Sequence, residues 1–555
     1  MRLTGPILDK ELRVLSRRPA MYVVRAAYLA ILAVPAAMAW FIWVRPVADT
    51  VKTSEMAEVA EWVSARIITC QFIAAQVMAL VLVAGALYEE TRKGTLAVLF
   101  SSGITSSQVV LGKVIGRLLP AVLAVALALP LLALMRFWGG VPGDYVVAAS
   151  CVTLTSALAV AALTFFLSLS GAAPHRIVVA GMIVVVAYNL ATSILSQVNS
   201  GLIGAVAGLA NPFTVIVALG QAAFNGIRLP FPWTLHCGLM LGFAAVVLGV
   251  TTLLLRRAAG MERSGDVAIL SGMIQLLFRA GSRRAAESTG SGVARAVTGS
   301  AVLWKDGRDV ARGRLVLHAG LGVLAVLTLL VVLDLDPWRD YWIAGLDRTA
   351  GWLVPSIVAA IQSPIFSSLL VGWWAILSVY TASLAAASIA QEREARSWPV
   401  LLSTPLTRRR IMWDKAQAIA LRTLAGWLVY LICVVAVQRV SNGMLPARYF
   451  IPLVIMTALN PPIYAMFLIG TGLYIGLRSR TAFSAVLMTL AVIFAFHFVR
   501  QQALIPLVQM VSRLQVVPWL GYQGINLAVE AVVGVVMWLL AARSLRRRIF
   551  GGSER

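Results

Sequence analysis

Charge is what this sequence has least of. Only 13% of its 555 residues are Asp, Glu, Lys or Arg. That is too few to cover the surface of a soluble protein of this length, which excludes an ordinary globular enzyme. Negative charge is scarcer still, with 23 acids against 47 basic residues. Cysteine is also sparse. Cys70, Cys151, Cys237 and Cys433 fall in or beside apolar runs and none forms a CxxC pair. Such spacing argues against a disulfide framework or a zinc site and for small buried thiols. No GxxxxGK[ST] occurs anywhere, so the chain offers no phosphate-cradling loop. No soluble stretch is long enough to fold as a nucleotide-binding domain. No constellation resembles a catalytic triad, a metal cluster or a paired-carboxylate site, which disfavours a membrane enzyme. The start carries no cleavable-signal pattern: residues 1–19 are charged and amphipathic, and the apolar run after them is too long for a signal peptide.

Apolar residues fill the space instead, making up 60% of the chain. Runs of about 20 apolar residues span a bilayer as helices, and their uniform length argues against the short alternating strands of a β-barrel. The runs predict spans near 20–44, 67–87, 114–135, 146–170, 177–197 and 236–255, then near 315–333, 366–390, 416–437, 450–476, 481–499 and 521–542. Segments 198–222 and 501–519 are apolar but broken, and read as outer loops with re-entrant pieces. The expected fold is an all-α integral membrane protein of about 12 transmembrane helices. The net charge of +24 fits the positive-inside bias rather than nucleic-acid binding. Most of the basic residues fall in the N-terminus, 88–113, 171–176, 256–314, 391–422, 477–480 and the C-terminus, which predicts both termini in the cytoplasm of an inner (plasma) membrane protein. The acidic clusters Glu55, Glu58, Glu61 and Asp334, Asp336, Asp340 fall in the opposite loops.

The chain also repeats. Shifted by 302 residues, Glu89–Lys113 lies without a gap on Gln391–Lys415. Glu90 then meets Glu392, Ser101 meets Ser403, Thr105 meets Thr407 and Lys113 meets Lys415. At a slightly different shift, Leu8–Arg17 parallels Leu303–Arg312, with Lys10, Arg13 and Arg17 matching Lys305, Arg308 and Arg312. On a helix these basic residues share one face and Leu8, Leu12 and Leu15 the other, as suits a helix lying in the membrane interface. The expected organisation is a six-span unit over 1–260, a cytoplasmic linker over 261–297 and a second six-span unit over 298–555. Both start on the same side, which makes them parallel repeats. The Gly/Ser-rich stretch 281–300 reads as flexible, and 266–280 as a short amphipathic helix.

Each repeated stretch carries an acid just past a span, a short apolar helix, a hydroxyl-rich turn broken by Gly103 or Pro405, and a lead into the next span. Leu99–Phe100 and Leu401–Leu402 would then offer an apolar face to a protein partner. "GTLAVLFSSG…VVLGK" and "SWPVLLSTPLTRRRI" resemble the loop after the second span in the permease subunits of second-type, export ABC transporters. The first copy keeps Gly94, Thr95, Leu96 and Leu111–Lys113. The second keeps Leu401–Leu406 and Arg408–Arg410 but has Ser397–Trp398 for Thr-Leu and Asp414 for the second Gly. The resemblance implies that these loops are coupling helices docking on a separate cytosolic ABC ATPase, one copy per unit, which binds the ATP and magnesium this chain does not. It marks Glu90, Gly94, Thr95 and Leu99 with Glu392, Ser397, Leu401, Pro405 and Arg408 as the coupling positions, for a substrate the sequence does not name. Two rival readings share the span count: an ion-coupled secondary transporter of the major facilitator type, and a membrane scaffold that moves nothing. Of the remaining polar residues, Arg25 suits snorkelling, and His236 and His497 suit structural roles. Asn460–Pro461–Pro462 suits a kink, and Glu530 suits a functional or a pairing role equally.

Overall fold

The computed structural model describes residues 8–9, 11, 13, 19–41, 53–88, 90, 104–137, 139–170, 172–198, 201–226, 231–261, 364–394, 397–398, 401, 403, 406–441, 447–500 and 518–547. Every regular element among them is helical. In chain order the helices are α1 (Pro19–Ala39), α2 (Thr53–Ala84), α3 (Ser106–Phe137), α4 (Gly143–Ser168), α5 (Pro174–Val198), α6 (Leu202–Ala210), α7 (Pro212–Asn225) and α8 (Trp233–Met261). Then follow α9 (Pro364–Glu394), α10 (Arg408–Ser441), α11 (Ala447–Arg478), α12 (Ala482–Val499) and α13 (Pro518–Arg547).

Ten of these are long and apolar enough to cross a membrane, or eleven if the bent pair α6–α7 counts as one span. The protein is therefore a multi-pass, all-helical membrane protein. The expected count of 12 differs for two reasons. The predicted span at 315–333 lies outside the described residues, and the side chains of α1 are described without a break only over Tyr28–Ala39. Side chains such as Leu202, Leu253, Ile432 and Val371 are more than half exposed, as lipid-facing positions of an apolar helix are.

By packing the chain divides into two compact units, Met1–Phe278 with Phe494–Met510, and Arg279–Ile493 with Val511–Arg555. In the first, one apolar cluster joins Leu32 of α1, Ile67 and Phe72 of α2, Leu132 of α3, Val152 of α4 and Leu219 of α7. A second joins Val83, Val110, Phe165 and Leu255 near the far end of α2. Two glycines of positive φ, Gly139 and Gly140, turn α3 into α4. In the other unit, Ala385 and Ile389 of α9 meet Met412 and Ile419 of α10, Leu473 of α11 and Ala541 of α13. Small residues let these helices nearly touch: a Cβ on Gly472 would stand 2.5 Å from that of Ala385, and one on Gly476 2.6 Å from the Ala386 carbonyl oxygen.

The broken segment expected at 198–222 is a helix pair, α6 and α7, meeting at 93°. Pro212 has no N–H to continue α6, and extended Asn211 (φ −85°, ψ 108°) caps the new helix by accepting from Phe213 N at 3.0 Å and Thr214 N at 3.1 Å. The bend is anchored from outside as well. Tyr188 Oη donates to Ala210 O at 2.8 Å, Asn211 Nδ2 donates to Asn189 O at 2.8 Å, and buried His236 holds Leu209 O at 2.6 Å through Nδ1.

Candidate functional site

The repeated acid and lysine meet at the base of each loop. α2 and α3 are each 32 residues long. At 1.5 Å per residue that is about 48 Å, well beyond a hydrocarbon core of about 30 Å. The excess carries the stem of the 91–103 loop. Here Lys113, buried on the first turns of α3, reaches back to the end of α2. Its Nζ donates to Ala86 O at 3.0 Å and to Glu90 Oε1 at 3.2 Å. In the second unit Lys415 on α10 does the same to the end of α9, with Glu392 Oε1 at 3.0 Å and Ser388 O at 3.4 Å. The acid lies 23 residues before the lysine in both, and the carbonyl 27 residues before it. A lysine fully inside a packed stem is tolerated when a carboxylate and a carbonyl replace its water.

The helices after the loops begin alike too. Thr105 and Gln108 cap α3 reciprocally: Thr105 N–H donates to Gln108 Oε1 at 3.1 Å, and Gln108 N–H to Thr105 Oγ1 at 3.4 Å. Thr407, its match after the 302-residue shift, accepts from Arg410 N–H at 3.4 Å ahead of α10.

Around this shared base the two stems are built differently. In the first, Arg117 spans three segments. Its Nη1 donates to Leu82 O at 3.2 Å, and its Nε stands 3.9 Å from Glu11 Oε2 of the N-terminal lead-in. Leu8 and Glu11 lie directly on Gly116, where an added Cβ would come within 2.8 Å of Glu11 Cβ. Arg13 is helical and exposed, and of the other residues that define the two expected faces only Leu8 is among those described. The position matching Arg117 is Ile419, buried in the apolar cluster. The second stem uses other charges. Arg393 Nη1 donates to Leu477 O and Ser479 O, both at 2.8 Å, and Glu394 Oε1 accepts from Ala482 N at 3.1 Å. A cation thus sits on the carbonyl end of α11 and an anion on the amide end of α12, the signs each helix dipole favours.

Of the expected coupling positions, Glu90 and Glu392 are the acids of these pairs. Ser397 donates through N and Oγ to Glu392 O, at 3.0 and 3.2 Å, and Leu401 N–H donates to Ser397 O at 3.1 Å, closing one helical turn. Leu401 is half-buried. Trp398, an apolar residue of this stretch, packs partly buried against the Ile389–Leu473 cluster. Arg408 opens α10, with its side chain outside the described residues. Gly94, Thr95, Leu99 and Pro405 lie outside them, as do Lys10, Arg17, Lys305, Arg308 and Arg312. Sequence reasoning aligned both lysines but did not pair them with the acids. The signal was present as the same acid-to-lysine spacing in both copies. Arg393 and Glu394 carried no such signal, since their partners lie more than 80 residues away.

Elsewhere, Glu530 of α13 is buried and accepts from Asn460 Nδ2 at 3.4 Å, so the intramembrane acid is a partnered one. α11 runs through Asn460–Pro461–Pro462 as one helix. The four cysteines are free. No group of His, Cys, Asp and Glu among the described residues suits a metal ion. No protein-family model matches the chain, and no curated protein matches it in sequence.

Proposed function

We propose that the chain is the membrane-spanning permease of an ATP-driven ABC export complex, with two six-span units, 1–260 and 298–555, fused through the 261–297 linker. The 91–103 and 395–407 loops are its coupling helices, facing the cytoplasm with both termini. Each docks one copy of a cytosolic ATPase that carries the ATP and magnesium. The observation that supports this best is the duplicated lysine–glutamate base. A loop that must pass force from a motor to a span needs a stiff root, and a buried ion pair bonded to both helices supplies one. Two such roots, 302 residues apart in the sequence and made by matching residues, are what a duplicated coupling device requires.

The test is co-purification from native membranes. Leu99→Asp with Leu401→Asp places a charge on the docking face of each loop and leaves the spans untouched. Loss of a Walker-motif ATPase from the purified complex, with membrane insertion intact, is the expected result. An ATPase that stays bound to the double variant refutes the loop assignment. The buried Glu530–Asn460 pair favours a second reading, an ion-coupled secondary transporter. Transport driven by a proton or sodium gradient in vesicles without ATP would establish it instead.

A further inference from the structure

The middle of α2 holds polar side chains that the fold does not use. Gln71 is 1% exposed, Gln76 8% and Ser64 fully buried. Neither amide atom of Gln71, neither of Gln76, nor Ser64 Oγ has a hydrogen-bond partner among the described residues. Each glutamine carries a strong donor and a strong acceptor, and membrane interiors offer no water to compensate them. A core that only needed filling would be served by Leu or Met at both positions. Neighbouring hydroxyls behave as expected of structural groups: Thr69, on the same helix, donates to Ala65 O at 2.8 Å.

The feature belongs to one unit. The positions 302 residues later on α9 are Trp373 and Ser378. Both are partnered inside the protein, Trp373 Nε1 to Gly426 O at 3.3 Å and Ser378 Oγ to Trp374 O at 2.6 Å. Ser64 and Gln71 are seven residues apart and share a helix face, with Gln76 roughly 140° further round. Gln71 lies between Cys70 and Phe72, whose apolar cluster also contains Ala149 and Val152 of α4.

We propose that Gln71 and Ser64 line a ligand site along α2, closed in this conformation, with Gln76 lining its continuation. Resting on the transport reading above, this assigns the class of molecule moved: an apolar body bearing a neutral hydrogen-bonding group, such as an amide or hydroxyl. The lining has amides and a hydroxyl to pair with such a group and no charge to neutralise an ion. Groups left unsatisfied in the closed state gain their partners when the helices packed on α2 part.

The experiment uses the full chain in native membrane vesicles, with Cys70, Cys151, Cys237 and Cys433 replaced by Ala and a single cysteine introduced. A charged methanethiosulfonate is the probe, with and without ATP. Gln71→Cys should react at least about tenfold faster than Val81→Cys, which is equally buried but lies on the side of α2 away from the middle of the Gln71–Gln76 arc. Equal protection of both under both conditions overturns the site. Monododecylglycerol should slow the Gln71→Cys reaction, and dodecyltrimethylammonium should not. Protection by the cation alone, or by neither, overturns the ligand class. In the unmodified background, Gln71→Met should raise the unfolding midpoint by about 2 °C, since it removes an unpaired buried amide. A midpoint unchanged or lowered shows a structural role and overturns the proposal. ATPase co-purification is scored on the same membranes. A reactive Gln71→Cys without ATPase refutes the ABC reading and keeps the site. Bound ATPase with a protected Gln71→Cys does the reverse.

Discussion

Cutting Glu392 back to alanine tests the stem base most directly. Its carboxylate stands 3.0 Å from Lys415 Nζ, with the lysine side chain 1% exposed and the glutamate 11%. At an effective dielectric of about 20, charges this close attract by about 5 kcal/mol before desolvation is counted. Much of that offsets the cost of bringing both charges in from water, so the intact pair contributes little net stability. Removing one partner is different. Glu392→Ala leaves the ammonium buried with the Ser388 carbonyl at 3.4 Å where a carboxylate had been. The cost of a broken buried pair is about 3–5 kcal/mol. For a unit of this size that is a fall in unfolding midpoint on the order of 10 °C. The paired change Glu392→Leu with Lys415→Met should recover most of the loss, because two apolar side chains carry no stranded charge. The assay is thermal unfolding of the detergent-purified chain across the double-mutant cycle. The same cycle on Glu90 and Lys113 should give a smaller effect, since that pair is longer at 3.2 Å and its glutamate is 17% exposed. A Glu392→Ala midpoint within about 2 °C of the parent, or a double variant as unstable as the sum of its singles, refutes the reasoning.

Other substitutions probe the contacts beside the stems. Arg393→Ala strips the charged donor from Leu477 O and Ser479 O, and should cost about 1.5–3 kcal/mol with faster amide exchange confined to the ends of α11 and α12. Gly472→Ala forces a methyl to 2.5 Å from Ala385 Cβ and 2.9 Å from Ala386 N, so the α9–α11 crossing must widen at a cost of about 1–3 kcal/mol, read as a lower midpoint. Asn211→Ala removes the cap of α7 and the donor to Asn189 O, which should cost about 1–3 kcal/mol and raise proteolysis at the α6–α7 bend, while Asn211→Asp keeps the cap oxygen but sets a buried carboxylate oxygen against Asn189 O and should not recover the loss.

What the sequence alone determined follows from the bilayer. Apolar runs in a chain so poor in charge have one solution, since only a helix satisfies its own backbone in hydrocarbon. The ten candidate spans fall where the runs placed them, and Asn211–Pro212 marked the break at 198–222 by removing a donor and supplying a cap. The loop stems were legible as far as local spacing carries. Glu90 and Lys113, and Glu392 and Lys415, lie within one helical hairpin, and a repeat exposed them. Tertiary structure decided the rest, because the deciding contacts join segments remote in sequence. Glu11 reaches Arg117 across more than a hundred residues, and Arg393 and Glu394 hold helix ends more than 80 residues on. Trp398 was legible only as an apolar residue of the loop, and packing alone sets it against the Ile389–Leu473 cluster. The unpaired amides of Gln71 and Gln76 were invisible for the same reason: a glutamine in a span signals a partner, and only packing shows that within this conformation it has none.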